Sequence, residues 1–252
     1  MDEPVFSISN KQFLVYALNK KGIADLQNNQ IIDDKEILSF CLSPLGNEII
    51  TISKNKIKKY SLGETIEEVL NKKINFKSDV KKIISDQFGN KYFILFENGK
   101  LFILDKSLRT SEVNSNEKII DVSWSDNLES VFILTKSSIK RYRNEAFFET
   151  KPLSKTASLI SSINQFYRIA IGFQDGSFSI FSQNLKNEII NIKVSNSPVN
   201  SIVNHPEDPH LFVGNLLGEL YSFNLLSNKL TFINKIHERE IGLRSVNSSF
   251  KN

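Results

Sequence analysis

Two apolar residues three positions apart return along this chain about every 40 residues. The pairs are Ile37/Phe40, Val80/Ile83, Ile119/Val122, Ile160/Ile163, Val199/Ile202 and Leu243/Val246. The steps between first members are 43, 39, 41, 39 and 44. One more pair, Val5/Ile8, lies 32 residues before Ile37 and makes the first unit, 1–36, a short one. A steady period of this length marks supersecondary units that stack because none can bury its apolar faces alone.

Each unit carries the same internal grammar. A turn signal follows the opening pair: Pro44-Leu45-Gly46-Asn47, Gln87-Phe88-Gly89-Asn90, Asp126-Asn127, Asn164-Gln165 and Pro206-Glu207-Asp208-Pro209. A second apolar run comes next, at Ile49–Ile52, Tyr92–Phe96, Val131–Leu134, Arg168–Phe173 and Leu211–Val213. Then a second turn intervenes, with Asn98-Gly99 and Asp175-Gly176 as strong short hairpin signals. The third run starts and ends on an apolar residue with two variable positions between: Ile57–Tyr60, Leu101–Leu104, Ile139–Tyr142, Phe178–Phe181 and Leu220–Phe223, with Ile23–Leu26 in the short unit. Fourth runs are weaker, at Phe147–Thr150, Glu188–Ile192 and Leu230–Ile233. Only Glu64–Leu70 has helical spacing, and it falls where a fourth strand belongs. The 19 phenylalanines and many isoleucines suit half-buried pleated strands.

The pattern predicts an all-β chain: a single β-propeller over 1–252, of about six four-stranded antiparallel blades, with seven as the alternative. A last opening strand, 241–248, either completes a blade with the N-terminal segment or begins a truncated one.

One cysteine, Cys41, leaves no intrachain disulfide and favours a reducing compartment. The start, Met1-Asp2-Glu3-Pro4, has no basic region before an apolar run, so the expectation is a chain that is not secreted. No apolar run is long enough for membrane insertion. His205, Asp208 and His210 could be imagined as metal ligands, but a Pro-rich turn is a poor frame, and no metal is expected. Cys41 lies inside the apolar run Ile37–Leu42 and reads as a small core residue. Phosphate-binding, dinucleotide-binding, zinc-protease and nucleophile-elbow motifs are missing, so no enzyme activity, cofactor or small-molecule substrate is expected.

The charge feature above background is basic. Lys54, Lys56, Lys58 and Lys59 surround one third strand, and Lys136, Lys140, Arg141 and Arg143 surround another two units later. Such charges could meet RNA phosphates or an acidic partner. They could equally be long side chains reaching from a sheet edge to water. The net charge of +4 permits either.

Ile37-Leu-Ser-Phe-Cys-Leu-Ser-Pro44, Val199-Asn-Ser-Ile-Val-Asn-His-Pro206 and Leu101-Phe-Ile-Leu-Asp105 resemble the opening strand, turn and third strand of WD-repeat propellers. His237, six residues before Leu243, sits near the family's Gly-His position. Neither a Trp-Asp nor a Gly-His dipeptide occurs, and the one tryptophan, Trp124, is on an opening strand. The short first unit followed by Asp33-Asp34-Lys-Glu-Ile-Leu-Ser-Phe-Cys-Leu-Ser-Pro44 is similar to the start of the tandem-propeller subunits of the UtpB module, part of the U3 small nucleolar RNA-associated small-subunit processome. That resemblance implies a non-enzymatic scaffold for other proteins of a multisubunit complex, in ribosome biogenesis and in the nucleolus. Alternatives are a coat, nuclear-pore or ubiquitin-ligase scaffold, a cytoplasmic location, and, last, a propeller enzyme.

Overall fold

The computed structural model describes residues 5–9, 14–25, 29–74, 76–205 and 208–235. The expected strand at 241–248, His237, Leu26, Pro206 and Glu207 lie outside them. The described residues fall into two compact units, divided after Asn116.

The N-terminal unit holds three sheets. The first is β1 (Val5–Ser9), β2 (Leu14–Asn19), β3 (Gly22–Asp25) and β4 (Gln30–Asp33). The second is β5 (Ile37–Leu42), β6 (Glu48–Ser53), β7 (Lys56–Leu62) and β8 (Ile66–Lys73). The third is β9 (Val80–Ser85), β10 (Lys91–Phe96), β11 (Leu101–Asp105) and β12 (Thr110–Val113). The C-terminal unit holds three more. The fourth is β13 (Asp121–Ser125), β14 (Ser130–Leu134), β15 (Ser138–Arg143) and β16 (Ala146–Pro152). The fifth is β17 (Ala157–Ile163), β18 (Arg168–Phe173), β19 (Ser177–Ser182) and β20 (Glu188–Lys193). The sixth is β21 (Val199–Asn204), β22 (His210–Asn215), β23 (Glu219–Asn224) and β24 (Leu230–Lys235). In all six, strands pair antiparallel in chain order. The helical spacing of Glu64–Leu70 yields to strand β8, which pairs with β7 along its length.

The three-residue spacing of the opening pairs has a geometric cause. Strand side chains alternate faces, so residues three apart should point oppositely. In the second sheet Ile37 pairs with Ser53 and Ser39 with Ile52, leaving Leu38 as an extra, bulged residue. The bulge resets the alternation. Ile37 and Phe40 then enter the same core cluster. Lys81 and Asn200 are the extra residues that let Val80/Ile83 and Val199/Ile202 do the same. The fifth sheet corrects the sequence reading. Its bulge is at Ser158, so Ala157 and Ile160 share a face, whereas Ile163 points to the next cluster.

Inner sheets are buried on both faces, as a stack of sheets requires. Along β6, Ile49 packs toward the first sheet while Ile50 and Ile52 pack toward the third. Along β18, Ile169, Ile171 and Phe173 face the fourth sheet and Ala170 faces the sixth. Gly172 sits where β18 meets β21, and a Cβ there would lie 2.7 Å from Val199 Cγ1. The bare backbone lets the two sheets close at that point.

Turns are capped by side chains at the end of the strand before them or just beyond it. In the turns after first strands, Ser43 Oγ accepts from Glu48 N, Asp86 Oδ1 from Phe88 N and Asn90 N, and Ser125 Oγ from Leu128 N. After third strands, Asp25, Asp105 and Asn224 do the same. In the Asp175-Gly176 hairpin, Asp175 Oδ1 accepts from Ser177 N (2.9 Å) and its Oδ2 meets Lys155 Nζ (3.1 Å). Burial pushes the Asp175 carboxyl up, but the Ser177 hydroxyl and N–H and the Lys155 ammonium outweigh it and hold it down at about 2. A carboxyl depressed by folding stabilises above its unfolded value and loses that contribution as pH falls through its folded one. Stability should therefore drop by about 1 kcal/mol between roughly pH 4 and pH 2, the partly exposed pair being screened by solvent. Urea titrations across that range should show this component vanish in Asp175→Asn.

The outer strands other than β12, which pairs evenly with β11, share a second irregularity. Val69, Phe148, Ile189 and Ile233 are each an extra residue, opposite the Lys59/Tyr60, Arg141/Tyr142, Ile180/Phe181 and Leu220/Tyr221 steps of the adjoining third strands. Ile31 holds the corresponding place on β4. Bulges disrupt a free edge and turn it away from further pairing.

Candidate interaction surfaces

The eight basic residues separate into two groups by their partners. Lys56 meets Glu36 (2.8 Å), Lys58 lies between Asp34 (3.3 Å) and Glu68 (3.1 Å), and half-exposed Glu48 holds buried Lys59 at 2.7 Å. In the C-terminal unit Lys140 meets Glu117 (2.8 Å), Arg141 meets Glu149 (3.6 Å) and Arg143 meets Glu129 (2.8 Å). Lys140 donates to Glu117 and, with Thr135 and Ser137, holds that carboxyl below its usual range. Burial of Lys58 lowers its proton affinity, yet Glu68, Tyr60 and Asp34 together raise it above the ordinary lysine value. Lys54 and Lys136 are exposed and have no carboxylate partner among the described residues. Six of the eight cations thus already face an acid of the same unit. The two clusters belong to different units.

The two described histidines stay local. His205 Nδ1 accepts from Asp208 N (2.8 Å), which closes the turn, and His210 Nε2 meets Asn224 Nδ2 at 3.3 Å on β23. Among the described residues no three His, Cys, Asp or Glu side chains gather as a metal set. Cys41 is buried between the second and third sheets with Ile50, Tyr92 and Ile94. Burial pushes its thiol up to about 12, against a small opposing contribution from Ser85. A thiol so protonated is a poor nucleophile. Native protein at neutral pH should resist iodoacetamide, and unfolding in urea should expose one thiol; rapid labelling of the folded chain would contradict the burial.

A surface that the sequence reading passed over lies at the turns after β5 and β9. Leu45 is 58% exposed and Phe88 53%. Both turns are fixed: Gly46 N donates to Ser43 O (2.8 Å), Gly89 N to Asp86 O (3.3 Å), and the Ser43 and Asp86 side chains cap them. The turns also abut, since a Cβ on Gly89 would lie 3.3 Å from Pro44 Cδ. Two large apolar side chains are therefore held out to solvent on neighbouring rigid turns. Single exposed apolar residues are ordinary, but adjacent ones on a rigid frame mark contact sites. The sequence signal was there: Pro-Leu-Gly and Gln-Phe-Gly place a large apolar residue inside a turn.

No protein-family model and no curated protein matches this chain. No helix among the described residues is long and apolar enough to cross a membrane.

Proposed function

We propose that the six sheets are blades of one WD-type propeller and that the chain is a non-enzymatic scaffold binding other proteins. The observation that carries the reading is the pair Leu45 and Phe88, exposed on abutting capped turns. Anchors held in place before binding lose little freedom when they dock, and aromatic anchors dominate interface energetics. The six meanders in unbroken succession support the propeller, and the UtpB-like opening residues support an RNA–protein assembly of ribosome biogenesis.

The test is affinity purification of wild type and of Leu45→Asp/Phe88→Asp from the native source, with protein and RNA identified. Wild type should recover a stable protein set, and the double variant should lose at least one member tenfold while melting at the same temperature. An unchanged set from the variant overturns the turn surface as the docking site. Recovery of pre-ribosomal RNA and nucleolar proteins supports the RNA-rich setting; coat, nuclear-pore or ubiquitin-ligase partners without RNA replace it. For RNA contact, Lys54→Glu and Lys136→Glu are the informative changes. Reversal at Lys58, Lys59, Lys140 or Arg141 would break an ion pair inside its own unit and read on folding instead.

A further inference from the structure

We propose that the outer edges of the fourth, fifth and sixth sheets form a docking strip for an acidic amphipathic helix of a partner protein. The bulged residues on these edges are Phe148 (55% exposed), Ile189 (43%) and Ile233 (47%). Phe148 and Ile189 occupy the same register position on consecutive sheets, between the partners of the fourth and fifth residues of the third strand. Phe147 and Phe232, also exposed, lie beside them. The sheets of this unit are neighbours, with shared apolar clusters between fourth and fifth and between fifth and sixth. The edges come close as well: Lys151 on β16 reaches Lys186 O, in the turn before β20, at 3.4 Å.

The same bulges decide against an added strand. A partner strand needs an even row of backbone donors and acceptors, and an extra residue interrupts it. Recognition must then come from side chains, which suits a helix laying an apolar face across the edges. Sheets stack about 10 Å apart, so three edges span about 20 Å, or roughly 14 residues of helix.

Charge selects the helix. Lys151, Lys193 and Lys235 stand near the C-terminal ends of β16, β20 and β24, and none has a carboxylate partner among the described residues. Lys186 and Lys229 precede β20 and β24 in the same condition. Of the acids on these strands, Glu149 is paired with Arg141, and Glu188, held by the neutral Ser179 and Asn191, leaves one negative charge against the five lysines. The strip is apolar with surplus positive charge, which would repel a second copy of itself and attract carboxylates. This surface is separate from the Leu45/Phe88 turns and has its own test.

The probe is a fluorescein-labelled helical peptide of about four turns, with Leu at i, i+3, i+4 and i+7 spacing and Glu elsewhere. A counterpart carries Lys for Glu. Titrated with the full chain, the acidic peptide should bind saturably, and the basic one at least tenfold more weakly. Phe148→Glu/Ile189→Glu should cut acidic-peptide affinity at least tenfold, while Leu217→Glu, at an exposed apolar site on another turn, leaves it unchanged. If the Glu pair lowers the melting temperature, Phe148→Ser/Ile189→Thr carries the same expectation. No binding of the acidic peptide, equal binding of both peptides, or binding indifferent to the double change overturns the proposal. So does a wild-type dimer in sedimentation that Phe148→Glu dissolves, because a second copy would then own the strip.

Discussion

Gly176→Ala should cost about 4 kcal/mol of folding stability. Gly176 has φ +83°, where a Cβ alone is unfavourable by about 1–2 kcal/mol. The added atom would also collide with Ser195 O and lie 2.5 Å from Ser197 O. Both are backbone atoms and cannot rotate aside. They are where they are because Gly176 O accepts from Val194 N (3.0 Å) and Ser195 N (3.3 Å), which binds the β18–β19 turn to the link between β20 and β21. Relief would require those hydrogen bonds to stretch. Urea unfolding measures the loss. Gly63→Ala is the control, since its Cβ would meet nothing nearer than Thr65 O at 3.7 Å, and its change should stay within about 0.5 kcal/mol.

Asp121→Ala should follow at about 3 kcal/mol. Asp121 is buried on β13, and its Oδ2 accepts from Ile160 N on β17 at 2.9 Å while Oδ1 accepts from Val122 N at 2.8 Å. Two residues on, Ser123 Oγ accepts from Ser162 N (2.9 Å) and donates to Ser162 Oγ (3.0 Å). Side chains of one opening strand thus supply the acceptors that the next opening strand lacks. Truncation at Asp121 leaves the Ile160 N–H buried without that acceptor, and such an orphan costs more than the bond was worth. Asp121→Asn keeps an acceptor for Ile160 N–H but turns its amide NH2 toward Val122 N–H, so it should lose less than Ala, about 1–2 kcal/mol. Equal losses in Ala and Asn, read from the same urea curves, would mean that charge and not the acceptor matters.

The meander was legible because its signals are local. Asn98-Gly99 and Asp175-Gly176 announce hairpins by the conformations only such residues adopt easily, and third strands repeat a short apolar frame. The bulges were visible only as an odd spacing. In the fifth unit the true first member is Ala157, too small to stand out as an anchor, so Ile160/Ile163 was read in its place. The surface was least legible. Lys140 looks free in sequence, yet its carboxylate, Glu117, comes from 23 residues earlier. Lys58 likewise finds Asp34 from outside its own sheet. Cations declare themselves by letter, whereas their counter-charges are assigned by the pairing of strands. Leu45 and Phe88 were hidden for the converse reason, since turn letters do not say whether an apolar residue tucks in or stands out.

Among the described residues, every strand hydrogen-bonds to the strand before or after it in the chain, never to a distant one. Each pairing therefore closes a short loop, and the entropy of closure stays small at every step. Slow folding of β proteins stems largely from contacts distant in sequence, and here the ladders do not contribute to that delay. A sheet can assemble as soon as its own four strands exist, so a nascent chain can fold in order of synthesis, and within each unit a later sheet finds an apolar face already waiting on the one before.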